Sequence, residues 1–179
     1  MSQGSFEALG KPDFDGLLKI AADGQAIDLG ELQLTPFTVP HDAREPLQLT
    51  CTDGQVKFGV LTDLGHATAH VLAHLAGCNA LLLECNHDPE LLAQSTYPPF
   101  LKRRVGGAYG HLSNAAAAAI SSAIYHPGLK HVVAAHLSLQ NNRPEMALTA
   151  LSSGAGLWGS PEFSVAHPET GTRWIEVRA

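Results

Sequence analysis

The stretch from residue 60 to 77 reads VLTDLGHATAHVLAHLAG and contains one aspartate and three histidines. Asp63 ends an apolar run, and three histidines then follow at intervals of four, His66, His70 and His74. Residues four apart lie on one face of a helix, so adjacent histidines of this ladder would offer two metal ligands. No HExxH glutamate lies between them, since the sequence reads HATAHVLAH. We therefore interpret the ladder as an amphipathic or surface helix face, and Asp63 as the candidate ligand.

Polar side chains lie at the carboxyl ends of several apolar runs, that of Asp63 included. They are His41, Asp42, Asp63, Glu84, Asn86, His87 and His136. In layered α/β sheets, ligands collect at the edge where strand ends and their loops converge. Imidazole and carboxylate suit Zn²⁺, Mn²⁺ or iron, and a carboxylate can bridge two ions. A metal site at this edge is our hypothesis; the alternative for each residue is a structural histidine or a turn-capping aspartate.

The composition is that of one globular domain, and we expect a single domain over residues 1–179. Net charge is −6 with histidine neutral, so no overall basic field attracts nucleic acid. The three cysteines form no CxxC pair, which indicates reduced, mostly buried thiols. No apolar run approaches the roughly 20 residues of a membrane span, and the start lacks the features of a signal peptide. We expect a cytoplasmic protein without a membrane segment.

The elements that must position these residues begin with antiparallel strands. Turn signals at Asp23-Gly24 and at Gly30 separate short strands near the start of the chain. Asp53-Gly54 joins two alternating runs, LQLTCT and QVKFGVL, into a hairpin.

Strands and helices alternate after this hairpin, with CNALLLEC and KHVVAAHLS as buried strands. One helix covers about residues 67–76, a short one begins after Asp88, another begins at Ser113 or Asn114, and RPEMALTAL forms the last. The tail predicts a closing hairpin across residues 170–171. The order predicts a mixed α/β layer structure with one core.

Taken in order, VPHDAREP, LTDLG, LLLECNHD, KRRVGGAYGHLSNAAAA and AAHLSLQNN resemble the metallo-β-lactamase superfamily of hydrolases. Within it they are most similar to the YycJ/WalJ-type, nuclease-like branch, and the resemblance runs from about residue 1 to residue 150. It implies an α/β fold, the αββα sandwich of mixed sheets flanked by helices, with a dinuclear Zn²⁺ or Mn²⁺ site at one sheet edge. It also implies a metal-dependent phosphodiesterase, of DNA exonuclease type.

The resemblance assigns roles to individual residues. His41 matches a histidine ligand, Asp63 the aspartate that bridges two metals, and His136 the last histidine ligand. His111, in GHLSN, falls where related phosphodiesterases place a histidine that assists the leaving group. His87 is typical of this branch and is a second catalytic candidate.

One basic run, KRR, lies close to Tyr97 and Phe100. A basic cluster with neighbouring aromatic rings can position a nucleic-acid backbone and stack a base, although a solvated helix face has the same composition. The helix start in GHLSNAAAA would present backbone amides to a phosphate. The candidate contacts for nucleic acid or another phosphodiester substrate are Asn86, Lys102, Arg103, Arg104, Ser113 and Asn114.

The sequence departs from the family in one respect, because no HxH pair occurs in it and the ligand motif HxHxDH is therefore absent. In the family this motif precedes the matched region. We therefore expect a C-terminal portion, N-terminally incomplete, whose hydrolase activity is impaired and whose exposed sheet edge favours homo-oligomers. Two alternatives are a thioester or lactam hydrolase of the same fold and a metal-poor, non-catalytic oligomerising module.

Overall fold

The computed structural model describes residues 1–154 and 161–178, and their strands form a seven-stranded mixed sheet in chain order. Strands β1 to β4 are antiparallel, and β4 to β7 are parallel. The strands are β1 (Ile27–Asp28), β2 (Gln33–Thr38), β3 (Leu47–Thr52), β4 (Lys57–Leu61), β5 (Ala80–Glu84), β6 (His131–Ala135) and β7 (Glu162–Val165). The predicted mixed α/β class is confirmed.

Each predicted helix is present in the described residues, and side-chain caps fix where several of them begin. The helices are α1 (Gln3–Ala8), α2 (Ala69–Leu75), α3 (Pro89–Gln94), α4 (Pro99–Val105), α5 (Asn114–Ala123) and α6 (Pro144–Ser153). Thr68 accepts a hydrogen bond from the backbone of Val71 at the start of α2, and Asp88 and Ser113 cap α3 and α5 in the same way. No described helix is long and apolar enough to cross a bilayer.

The hairpin of β3 and β4 turns where the sequence predicts. Thr52 pairs with Lys57, and Gly54 between them has a φ of 91°, a conformation that favours glycine. Asp53 accepts hydrogen bonds from the backbone of Gln55 and Val56, both at 2.9 Å. Turn residues therefore set the register that carries β4 toward Asp63.

The parallel strands end at one edge of the sheet because they are in register. Leu61 of β4 pairs with Leu83 of β5, which pairs with Ala134 of β6. The same three side chains are fully buried and belong to the core that α2, α5 and α6 cover. Asp63 lies two residues after Leu61, and His136 lies two residues after Ala134. Both therefore emerge at the same edge of the sheet.

The tail does not form the predicted closing hairpin. Strand β7 instead joins the parallel half of the sheet, with Val132 paired to Phe163, because α6 returns the chain to that edge. The turn signal at residues 170–171 yields only one antiparallel bridge, between His167 and Gly171. Both sheet edges are short strands, β1 of two residues and β7 of four, and self-association through an edge stays a prediction.

Candidate metal centre

Polar side chains from three parallel strands meet beyond the carboxyl edge of the sheet. Asp63 follows β4, Glu84 ends β5 and His136 follows β6. Asp63 and His136 have positive φ angles, 54° and 55°, which only a few per cent of non-glycine residues adopt. Such conformations cluster at functional sites, where the surrounding structure holds them in place.

Asp63, Glu84, His111 and His136 each offer a ligand atom within 4.8 Å of the others. Asp63 Oδ1 lies 3.8 Å from His111 Nδ1 and 3.7 Å from His136 Nδ1. His41 completes the group, with Nε2 3.9 Å from the same Asp63 oxygen and its ring centroid 5.2 Å from that of His111. The structure therefore brings together the three predicted metal ligands and the predicted leaving-group histidine.

Glu84 is the residue whose role sequence reasoning missed. Its fully buried carboxylate accepts hydrogen bonds from His111 Nδ1 at 2.7 Å and His136 Nδ1 at 2.8 Å. The backbone amides of Leu64 and Leu112 donate to its second oxygen, each at 3.2 Å. Burial alone would raise the pKa of Glu84, but these hydrogen bonds outweigh it and lower the pKa to about 2. The one signal in the sequence is a carboxylate that ends an otherwise apolar strand.

The Glu84 carboxylate fixes the tautomer of two histidines. An ionised carboxylate only accepts hydrogen bonds, so Nδ1 carries the proton in His111 and in His136, and Nε2 keeps a lone pair when the ring is neutral. His41 is oriented in a similar way, since its Nδ1 donates to the Gly110 carbonyl at 3.1 Å. A second hydrogen bond that orients each imidazole is typical of histidines that bind metals. In His111 and His136 the nitrogen near Asp63 Oδ1 is this Nδ1, so a metal ion there would displace its proton or bind at Nε2. The donor set of imidazoles and carboxylates is of the type that binds divalent transition-metal ions.

The basic residues of α4 lie beside this centre but differ in their contacts. Arg104 forms an ion pair with Asp42, whose other oxygen lies 3.6 Å from His41 Nε2. The hydrogen bond from Arg104 lowers the pKa of Asp42 below its usual range, against a smaller opposing effect of burial. Lys102 donates to the carbonyl of Ala93 at 2.6 Å, and Arg103 is exposed. Arg103 is thus the member of the run that is most available to a ligand.

Three of the predicted substrate-contact side chains already make hydrogen bonds within the protein. Asn114 is 4% exposed and exchanges two hydrogen bonds of 2.9 Å with the amide of Asn142. Asn86 is buried and donates to the His136 carbonyl, and the Ser113 hydroxyl caps α5. These side chains support the loops of the centre, and their contact with a substrate stays a prediction.

His87, the second catalytic candidate, lies beneath the centre. It is 4% exposed, and its Nδ1 has no hydrogen-bond partner among the described residues. Burial is the main cause that lowers the pKa of His87. A neutral, buried ring is not placed to contact a substrate, so its catalytic role remains a prediction.

The histidine ladder contributes no ligand to this group of described residues. His66 precedes α2, so it does not share the helix face with His70 and His74, and its Nδ1 donates to the Ala108 carbonyl at 2.8 Å. The predicted three-histidine helical stripe is therefore reduced to two.

Comparison with known proteins indicates the family and the fold of the chain. No family model matches the chain. Exodeoxyribonuclease YycJ of Bacillus anthracis is 34% identical over 129 residues, which are 72% of this chain and 49% of the relative. Exodeoxyribonuclease WalJ of Streptococcus pneumoniae serotype 2 is 30% identical over 159 residues, 86% of this chain and 59% of the relative. The chain thus spans about half the length of the curated relatives that it matches.

A solved structure shows the same fold. The metallo-β-lactamase fold protein YhfI from Bacillus subtilis superposes with a TM-score of 0.68 at 16% identity, covering 92% of this chain and 60% of that one. At this identity the likeness concerns the fold alone, whereas the sequence matches to YycJ and WalJ concern the branch. In sequence and in fold, this chain is a YycJ/WalJ-type protein of the metallo-β-lactamase fold.

Proposed function

We propose that this chain supplies the metal-binding edge of a metal-dependent phosphodiesterase that acts on DNA. The observation that carries the proposal is the buried Glu84 carboxylate, which holds His111 and His136 at 3.8 Å and 3.7 Å from Asp63 Oδ1. A fully buried carboxylate is costly unless it is paired, so its presence beneath a histidine cluster is best explained by the need to orient those rings.

Zn²⁺ or Mn²⁺ is the proposed cofactor, held by His41, Asp63 and His136. Imidazole nitrogen together with carboxylate oxygen favours these ions over Mg²⁺ or Ca²⁺, which take mainly oxygen ligands. Bound metal ions of this kind lower the pKa of a water molecule and neutralise the oxygens of a scissile phosphate.

His111 is the proposed general acid. Its Nδ1 proton is fixed on Glu84, so a proton exchanged with a leaving oxygen must be held at Nε2. Asp63, 3.8 Å away, adds a second negative charge near the ring.

DNA is the proposed substrate because the two curated relatives are named exodeoxyribonucleases. Exposed Arg103 on α4 offers a cation for the phosphate backbone near the centre, while the net charge of −6 restricts attraction to such local positions. A cleft of about 750 Å³ opens beside His136 and is lined in part by Arg143, Val165 and His167. It gives a strand end room to approach the centre.

The decisive experiment incubates the 179-residue chain with Zn²⁺ or Mn²⁺ and measures hydrolysis of four substrates. They are end-labelled DNA, a small phosphodiester, a thioester and a β-lactam. Asp63→Asn should lose the metal of this centre and DNA hydrolysis, whereas His111→Ala should keep that metal and lose at least tenfold in rate. Glu90→Gln, at an exposed residue of α3 outside the centre, is the control and should behave as the unaltered chain does. Hydrolysis of the thioester or lactam in place of DNA would contradict the proposal, as would full activity in His111→Ala.

A further inference from the structure

A second group of potential metal ligands is separate from the candidate metal centre. Asp23, His70 and His74 each offer a ligand atom within 4.8 Å of the others. Asp23 belongs to the turn before β1, and the two histidines lie four residues apart on α2. We propose that these three residues form a surface binding site for a divalent zinc-type cation, independent of the proposed hydrolase centre.

The spacing of Asp23 and His70 is close to that of two ligands on one metal ion. His70 Nε2 lies 2.8 Å from Asp23 Oδ1, and the rings of His70 and His74 are 4.6 Å apart between centroids. Zinc bonds of about 2.0–2.1 Å in a tetrahedral arrangement separate neighbouring ligand atoms by roughly 3.3 Å. Replacing the proton between Asp23 and His70 by a cation therefore requires a movement of only about half an ångström.

Neighbouring residues hold two of these side chains in place without a metal. Asp23 Oδ1 accepts hydrogen bonds from the Thr38 backbone amide at 2.7 Å and from its hydroxyl at 3.2 Å. The His74 ring stacks on the fully buried Phe37, with centroids 4.9 Å apart and planes 10° from parallel. A site held in this way loses little conformational freedom when it binds an ion.

The donor set indicates which ion would bind. Two imidazoles and one carboxylate favour Zn²⁺ over Mg²⁺ or Ca²⁺. The side chains of His70 and Asp23 are 43% and 41% exposed, so water can occupy the fourth position of a tetrahedral ion. The site would tie the turn at Asp23 to α2 and so join the antiparallel half of the sheet to the helical layer.

Asp23 gives two histidines of the ladder, His70 and His74, a third potential ligand. Helical spacing alone indicates a surface face, because it supplies two imidazoles and no third ligand. Asp23 is 47 positions from His70, and only the fold brings them together.

The test is zinc stoichiometry and thermal stability of the 179-residue chain, measured by equilibrium dialysis and by melting with and without Zn²⁺. His70→Gln, His74→Gln and Asp23→Asn should each bind one equivalent less than the unaltered chain and lose part of the zinc-dependent rise in Tm. His66→Gln, from the same ladder but outside the group, should keep both. The same difference of one equivalent should persist when each variant is combined with Asp63→Asn, which separates this site from the proposed hydrolase centre.

Two outcomes would overturn the proposal. One is an unchanged stoichiometry in both His70→Gln and Asp23→Asn, which would leave the pair as a simple hydrogen bond. The other is an equal loss in His66→Gln, which would indicate nonspecific binding by surface histidines. Because all of these side chains except His74 are exposed, circular dichroism of each variant should report an intact fold.

Discussion

His111 and Glu84, 27 positions apart in the chain, are joined by a hydrogen bond of 2.7 Å from Nδ1 to Oε1. The same oxygen accepts from His136 Nδ1 at 2.8 Å, so one atom orients two histidines from different elements. Hydrogen bonds overcome the effect of burial and hold the pKa of Glu84 at about 2, so it stays ionised at neutral pH. The geometry of the centre therefore depends on this one buried carboxylate.

Replacing Glu84 with glutamine should damage both metal binding and stability. Glutamine offers one carbonyl where two imidazole and two backbone donors converge, and its own amide donors oppose them. We expect metal affinity to fall about 10–100-fold and the free energy of unfolding to fall by about 1–3 kcal/mol. Metal titration and urea unfolding measure these effects.

Glu90→Gln is the control for this change, because Glu90 is an exposed residue of α3. It should leave metal affinity unaltered and change stability only slightly. Wild-type metal affinity in Glu84→Gln would show that the histidines are oriented without the carboxylate.

Two substitutions of Asp63 separate the loss of a metal ligand from the strain of a positive φ angle. Its φ of 54° lies in the left-handed region, which asparagine and aspartate tolerate better than alanine does. Asp63→Asn and Asp63→Ala should both lose the metal held at the candidate centre and keep the equivalent proposed at Asp23, His70 and His74, but the alanine variant should be less stable by about 1 kcal/mol. Elemental analysis and thermal melting separate the two effects. Equal stability of the two variants would mean that the backbone relaxes at this strand end.

Gly65 controls how closely the strand end approaches the loop that carries His111. A Cβ atom at position 65 would lie 2.2 Å from the carbonyl oxygen of Ala108, and a backbone atom cannot move aside freely. Gly65→Ala should lower the free energy of unfolding by about 1–3 kcal/mol and weaken metal binding by displacing His111. Urea unfolding and metal titration test this expectation.

Gly106→Ala is the matched control on the same loop. Its Cβ would meet the nearest atoms at 3.5 Å, an ordinary contact, and it should be nearly neutral. A Gly65→Ala variant as stable as Gly106→Ala would refute the close-approach argument.

The cysteines should differ sharply in reactivity. Cys78 and Cys85 are at most 1% exposed, and burial raises their thiol pKa values to about 11 and about 12. At pH 8 only about one Cys78 side chain in a thousand is therefore a thiolate. A chromogenic disulfide reagent should label one thiol per native chain, partly exposed Cys51, and three in denaturant. Cys51→Ser should abolish native labelling, and rapid reaction of a second thiol would show that the core opens.

Much of the candidate metal centre could be predicted from sequence because strand ends have a local signature. Asp63 and His136 each follow an apolar run, and the parallel register then brings them together. Glu84 has the same signature, but its role depends on partners 27 and 52 positions away. No local pattern predicts such partners. The sequence therefore predicts where Glu84 lies but not that it orients two histidines.

The tail shows where local signals mislead. Thr170-Gly171 is a true turn signal, yet it gives a single bridge because the edge of the sheet next to β6 accepts β7 in parallel. Asn114 shows the same limit for side chains, since a helix N-terminus is recognisable but its buried pairing with Asn142 is not. The pairing of β7 and the pairing of Asn114 with Asn142 both depend on which groups the folded chain leaves without a partner.

Arg103 provides the test of DNA contact that does not depend on hydrolysis. Arg103 is exposed on α4, whereas Arg104 is already paired with Asp42. Arg103→Ala should therefore weaken DNA binding more than Arg104→Ala does and reduce the slope of log affinity against log salt by about one. Fluorescence anisotropy with labelled DNA at several salt concentrations gives both quantities. Arg44→Ala, which removes an exposed arginine paired with Glu7, is the control and should leave the slope unchanged. An unaltered slope in Arg103→Ala would place the DNA contacts elsewhere on the molecule.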